Sequence, residues 1–283
     1  MSPLPEPSTA RPRRRLATLL ATVAIVVAAC GGNPPASPAS STAPGTPALE
    51  ITPEPTAAGF APDSVLSVIA GPLRVRSKPS VEDDSVKYTP LLDTGQRVFV
   101  ITGPAAGSGY STWYLVRTVA KRTTQDGWVS TAARDGSPWI EPAAVDCPSV
   151  ATLADIDALD ATLRIPCYAG RELTFTTTVV WGANCGDTNI IAAPDWMAGC
   201  LSTFRWGSKT SDVFVAIPPE LAAAAGTHKA GDTFKAKVTA HVDDPGALTC
   251  QPKAVAGADP IILAASAILD CRTMFVATAF AKA

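Results

Sequence analysis

From about residue 63 onward the chain falls into short runs in which apolar and polar positions alternate, the period-two pattern of strands that bury one face. The first half predicts strands at Val65–Ile69, Leu73–Ser77, Arg97–Thr102, Trp113–Thr118 and Gly127–Ser130, parted by Gly, Pro and Asp turns. So many short strands in so little chain imply a small, strongly bent β-barrel. Within it, alternation puts Leu73 and Val75 on the core face and Arg74 and Arg76 toward solvent. The second half predicts strands at Glu172–Trp181, Leu201–Trp206, Asp212–Ile217, Thr233–Val242 and Cys271–Phe280. Three- and four-residue spacing predicts one amphipathic helix over Leu153–Leu163. Pro218-Pro219-Glu220-Leu221, followed by alanines and Gly226, is a helix with a proline start and a glycine stop. The apolar run Ile261–Leu269 also reads as helical, and the fold class is mainly β.

Before residue 63 the pattern is different. Arg11, Arg13, Arg14 and Arg15 precede fourteen apolar or small residues, Leu16 to Ala29, as in a secretory signal. A spanning helix needs about 20 residues, so this run is short for a permanent anchor. Val27-Ala28-Ala29-Cys30-Gly31-Gly32 resembles the lipobox of bacterial lipoproteins. The resemblance implies cleavage of residues 1–29, diacylglycerol on the Cys30 sulfur, and a protein held at the extracytoplasmic face of the cell membrane. Two or more acyl chains, each contributing roughly 0.8 kcal/mol per buried methylene, anchor stably. Residues 30–62, dense in Pro, Ala, Ser and Thr, cannot bury enough apolar surface to offset their ordering entropy and read as a stalk.

Cleavage changes the electrostatic picture. The formal charge moves from −2, with 23 basic against 25 acidic residues, to −5, with 19 against 24, once four arginines and Glu6 leave. An acidic chain has no bulk attraction to nucleic acid or anionic headgroups, so those partners are not expected.

Cysteine usage divides the remainder into 63–146, which has none, and 147–283, which holds Cys147, Cys167, Cys185, Cys200, Cys250 and Cys271. An even set in an exported chain implies three disulfides. Of the fifteen formal connectivities, pairing of sequence neighbours gives Cys147–Cys167, Cys185–Cys200 and Cys250–Cys271, each closing a loop worth about 3 kcal/mol. A zinc site lacks any CxxC pair and has only His228 and His241 to draw on, so neither metal nor cofactor is expected.

In the first half, Leu73-Arg74-Val75-Arg76-Ser77-Lys78-Pro79-Ser80, Asp93-Thr94-Gly95-Gln96-Arg97-Val98, Trp113-Tyr114-Leu115-Val116 and Gly127-Trp128-Val129-Ser130 follow one another in order. This set resembles the bacterial SH3 domain, whose pattern is LxVRxxPS, a glycine turn before a strand, WxxV and GWV. Val116–Asp126 is longer than the tight hairpin usual there. The resemblance implies a module, residues 63–146, that binds peptides or cell-wall material. Aromatic rings offer large, rigid contact area, and Tyr88, Tyr110, Trp113 and Trp139, in or beside loops, are the candidate ligand contacts. Trp128 is assigned to the core, and Gly127 to a tight turn that favours positive φ.

Residues 147–283 show three strands, a helix and two strands, an order that resembles the five-stranded OB-fold barrel; an immunoglobulin-like sandwich would want about seven strands. Asp155, Asp157 and Asp160 fit a solvated helix face better than a metal cluster. His241 beside Asp243-Asp244 could supply a base, but the turn sequence Asp-Asp-Pro-Gly explains the group without chemistry. No nucleophile signature accompanies it, and no catalytic residue is expected. The expectation is a non-enzymatic, lipid-anchored binding protein whose partner is peptidoglycan or a surface protein. The alternative is a structural or assembly part of an envelope complex.

Overall fold

Alternating valines and aromatics form the first sheet. A computed structural model describes residues 59–120, 124–149, 152–182, 190–192, 201–206, 209–252 and 254–283. The leader, Cys30, most of the stalk, Cys185 and Cys200 lie outside the described residues. Strands β1 (Val65–Val68), β2 (Arg97–Ala105), β3 (Trp113–Thr118), β4 (Asp126–Ser130) and β5 (Ile140–Pro142) pair antiparallel in the order β4-β3-β2-β1-β5. Leu66, Val68, Leu73, Val75, Val98, Val100, Tyr114, Val116, Val129 and Ile140 fill its core.

Leu73–Ser77 is no regular strand, because its bridges change partner within four residues, Leu73 to Leu92 and then Arg76 to both Lys87 and Trp128. Gly127 lies inside β4 outside the positive-φ range, and what requires glycine there is close approach: a Cβ would sit 2.6 Å from Val75 and 2.7 Å from the Arg76 carbonyl oxygen. The stalk gives way to ordered chain before residue 62, since Phe60 donates its N–H to the Tyr114 hydroxyl (3.0 Å) and packs edge-on against that ring.

Helix α1 (Leu153–Ala158), a 3-10 turn at Ala161–Leu163 and helix α2 (Arg164–Tyr168) replace the single helix predicted over 153–163. The break falls where Leu159 and Asp160 are extended and the Asp160 carboxylate accepts from Thr162 N–H, starting a new turn. Asp155 closes a capping box with Thr152, so two of the three aspartates serve helix ends.

After α2 come β6 (Leu173–Val180), β7 (Ile190–Ala192), β8 (Leu201–Trp206), β9 (Lys209–Ala216), helix α3 (Pro219–Ala225), β10 (Thr233–His241), β11 (Gln251–Pro252), helix α4 (Pro260–Arg272) and β12 (Phe275–Lys282). Five of these close into a barrel, β10-β12-β9-β8-β6 with β6 back on β10, while β7 and β11 form a separate pair. Only β9 and β12 run parallel among the barrel pairs described. The strand predicted from Cys271 starts later, because Cys271 and Arg272 complete the last turn of α4. Disulfides join Cys147 to Cys167 and Cys250 to Cys271, two of the expected neighbour pairs. Among the described residues no helix is long and apolar enough to cross a membrane.

Pro55–Ala283 forms one compact unit, so the division at 146/147 drawn from cysteine usage falls inside it. The unit is held by β3, which is buried at all six positions. Tyr114 and Val116 face the sheet's own core, while Trp113 and Leu115 join Trp128 and Ile262 of α4 in a second buried cluster. A third cluster joins Val65 and Phe99 to Leu163, Ile165 and Leu269.

Charge ties the same seam. The Arg117 guanidinium donates to both Asp126 carboxylate oxygens (2.7 and 2.6 Å) and to Asp270 of α4, and Ser266 of α4 donates to Asp126. Burial works to lower the Arg117 pKa, but the bonds and charges of Asp126 and Asp270 overcome it and leave the pKa raised. Arg272 likewise grips Asp63 with two bonds of 2.8 Å and Asp243 with one of 2.6 Å.

Candidate functional site

The backbone of Trp139 is clamped on both sides. Its carbonyl accepts from Ile69 (2.8 Å) and Ala70 (3.3 Å), and its N–H donates to the Thr131 carbonyl (2.8 Å). This fixes a half-buried indole beside the loop that joins β2 to β3. That loop is rich in Gly and Ser, yet it is pinned: Ser108 bonds to the Ser80 hydroxyl (2.8 Å) and, through its N–H, to the Pro79 carbonyl (3.1 Å). Gly107 is required for this approach, since a Cβ there would lie 1.8 Å from the Pro79 oxygen and 2.6 Å from the Trp113 ring. Arg134 donates to the Gly109 carbonyl (3.2 Å), with its guanidinium 6.0 Å from the Tyr110 ring centre.

Tyr110 therefore sits where two tryptophans meet it. Its ring centre is 5.0 Å from that of Trp139, at 73°, and 5.8 Å from that of Trp113, at 57°. These three rings, with Arg74, Arg76, Ser130 and the Ala70–Leu73 segment, line a cleft of about 440 Å³. That size lies within the range of small-ligand sites.

Three of the four aromatics singled out in the sequence thus converge. Trp113 opens β3 beside the loop, where the strand predicted over Trp113–Thr118 begins, and at 1% exposure it forms cleft floor and core together. Tyr88 is not brought to the cleft. Its N–H donates to the Val75 carbonyl (3.0 Å), its ring packs on the sheet core beside Gly127, and burial, then the charge of Asp259, pushes its hydroxyl pKa up. Trp128 is core, at 6% exposure.

Sequence reasoning missed Arg74 and Arg76 as site residues. Both line the cleft, and i, i+2 positions of an extended segment share a face. The signal lies in the alternation Leu-Arg-Val-Arg, but alternation alone shows that the arginines face away from the core and not that this face is concave. Arg76 is held by reciprocal backbone bonds with Trp128 (2.9 and 2.7 Å), and its Nη1 is buried with no hydrogen-bond partner. Among the described residues no acidic side chain lines the cleft.

Two other features stand apart. A second cleft of about 390 Å³, lined by Val75, Pro90, Leu92, Gln96, Arg97 and Val119 among others, opens elsewhere on the same sheet module. In the barrel, Trp181, His228, Phe234 and Phe280 form a ring cluster, with His228 stacked on Phe234 at 4.1 Å. His241 bonds to Asp244 (3.0 Å) at the turn expected there, and among the described residues no group of three or more His, Cys, Asp or Glu could hold a metal ion. No family model, curated protein or solved structure matches the chain.

Proposed function

We propose that the protein is a non-enzymatic binding protein, held through lipid on Cys30 at the extracytoplasmic face of the membrane, that captures a cell-wall or peptide ligand in the Tyr110–Trp113–Trp139 cleft. The observation that carries this reading is the convergence of three aromatic rings and two arginines on one concave surface. Rings supply rigid contact area, and guanidinium groups supply orientation.

Two finer assignments accompany it. In the first sheet the last strand, β5, returns beside the first, giving β5-β1-β2-β3-β4, an order that supports an SH3-like module. In the barrel, taking its strands in chain order, the first three run side by side, the fifth lies against the third, and the fourth joins fifth to first. With α3 between the third and fourth, this supports an OB-like module. The second module acts as a rigid support that holds the cleft-bearing sheet from behind β3.

Retention on purified peptidoglycan tests the reading. Residues 55–283 should be retained, and the double substitution Tyr110→Ala with Trp139→Ala should release the protein while leaving its melting cooperative. Equal retention of both forms would remove the cleft from the account.

A further inference from the structure

Resting on that reading of the cleft, we propose that its ligand is a short peptide recognised by a carboxylate, which Arg74 and Arg76 hold while the adjoining side chain lies in the notch between Tyr110 and Trp139. The argument begins with a contrast among arginines. Arg117 and Arg272 each bind two carboxylates and serve the fold. Arg74 and Arg76 both line the cleft and have no ion pair among the described residues. Arg76 Nη1 is buried with nothing to donate to. A charged donor left in that condition carries a desolvation cost that an arriving anion removes.

Guanidinium groups match a carboxylate or a phosphate with paired, charge-assisted bonds. A single carboxylate is the better fit. The mature chain is acidic overall, which opposes polyanions at long range, and among the described residues the cleft is lined by two cations, Arg74 and Arg76. The rings favour a peptide over a sugar, because Tyr110 stands at 73° to Trp139 and makes a notch, whereas a pyranose face wants a flat platform. Peptides of this kind come from two sources, wall stem peptides ending in D-alanine and polypeptide chain ends of L-residues.

The test titrates residues 55–283 with acetyl-Lys-Ala-Ala in two forms, all-L and L-Lys-D-Ala-D-Ala, each as free acid and as C-terminal amide, with dissociation constants from NMR shifts. The acid of at least one form should bind about tenfold or more tighter than its amide, the worth of a charge-assisted pair. Arg76→Gln and, separately, Arg74→Gln should remove that preference without lowering the melting temperature. Whichever chirality binds identifies the source. Equal binding of acid and amide, retention of the preference by both arginine variants, or equal competition by inorganic phosphate would overturn the inference. Failure of every peptide, with wall retention still dependent on Tyr110 and Trp139, would overturn the inference and leave the cleft as a site. Loss of that dependence would overturn the cleft itself.

Discussion

At the scale of single residues, the two tryptophans of the cleft have separate duties. Trp113 is 1% exposed and shared between cleft floor and the seam with α4, so Trp113→Ala should cost about 3–5 kcal/mol of stability. Trp139 is half-buried, packing on the sheet core while also lining the cleft, so Trp139→Ala should cost clearly less stability in urea unfolding than Trp113→Ala yet weaken ligand binding by about 2 kcal/mol, ~30-fold. Equal effects of both substitutions on stability would contradict this division. Gly127 gives a second prediction. Because a Cβ would lie 2.7 Å from the Arg76 carbonyl, a backbone atom that cannot swing aside, Gly127→Ala should cost roughly 1–3 kcal/mol in urea unfolding, and a change under about 0.5 would refute it. At this scale the sequence told core from surface by alternation, placing Leu73 and Val75 inward. It did not show that Trp113 is core as well as cleft floor, because β3 is buried on both faces, and a strand so placed has no polar face to mark an inside and an outside.

At the scale of elements, α4 decides how the sheet and barrel meet. Asp259 caps its first turn by accepting from Ile261 and Ile262, and Ile262, Ser266 and Leu269 then repeat at three- and four-residue spacing along the face it presents to the sheet. The apolar run made the helix legible in the sequence. Its end was not, since Cys271-Arg272 continue into strand-forming residues; there the Thr273 N–H caps the helix on the Leu269 and Cys271 carbonyls, while the disulfide to Cys250 and the bonds of Arg272 to Asp243 and Asp63 tie the last turn to its neighbours. Arg117 of β3 and Asp126 of β4, which meet this helix at Asp270 and Ser266, have side chains only 8% and 12% exposed, so Arg117→Met should cost about 3–5 kcal/mol by leaving the Asp126 charge without its cation. Asp270 behaves differently. Packing at the seam raises its carboxyl pKa, Arg117 opposes the rise and Asp126 adds to it, while a side chain still 52% exposed keeps the effect modest. A raised folded pKa means the folded state holds the proton longer than the unfolded chain. Relative to Asp270→Asn, the native protein should therefore lose stability as pH rises from about 4, the ordinary aspartate value, through the raised one. A relative gain over that window would show that the pairing with Arg117 outweighs burial.

At the scale of the whole molecule, cysteine distribution suggested two modules, and the two buried clusters and two arginine ties that cross between them could not be read from either half alone. A seam of that kind makes residues 55–283 unfold as a unit. Calorimetry should show one transition with matching calorimetric and van't Hoff enthalpies, and two resolved transitions would separate the modules. In the binding role proposed for the cleft, such a seam would hold the aromatic notch and Arg76 in place in advance, the pre-organisation that binding rewards. The most direct measurement is therefore a map of the ligand's footprint: amide shift changes in residues 55–283 on adding soluble peptidoglycan fragments. Shifts gathered at 70–76, 107–113, 130 and 139, with the barrel strands silent, are the predicted result. Shifts centred on the barrel or on the second cleft around Pro90 and Val119 would contradict the account.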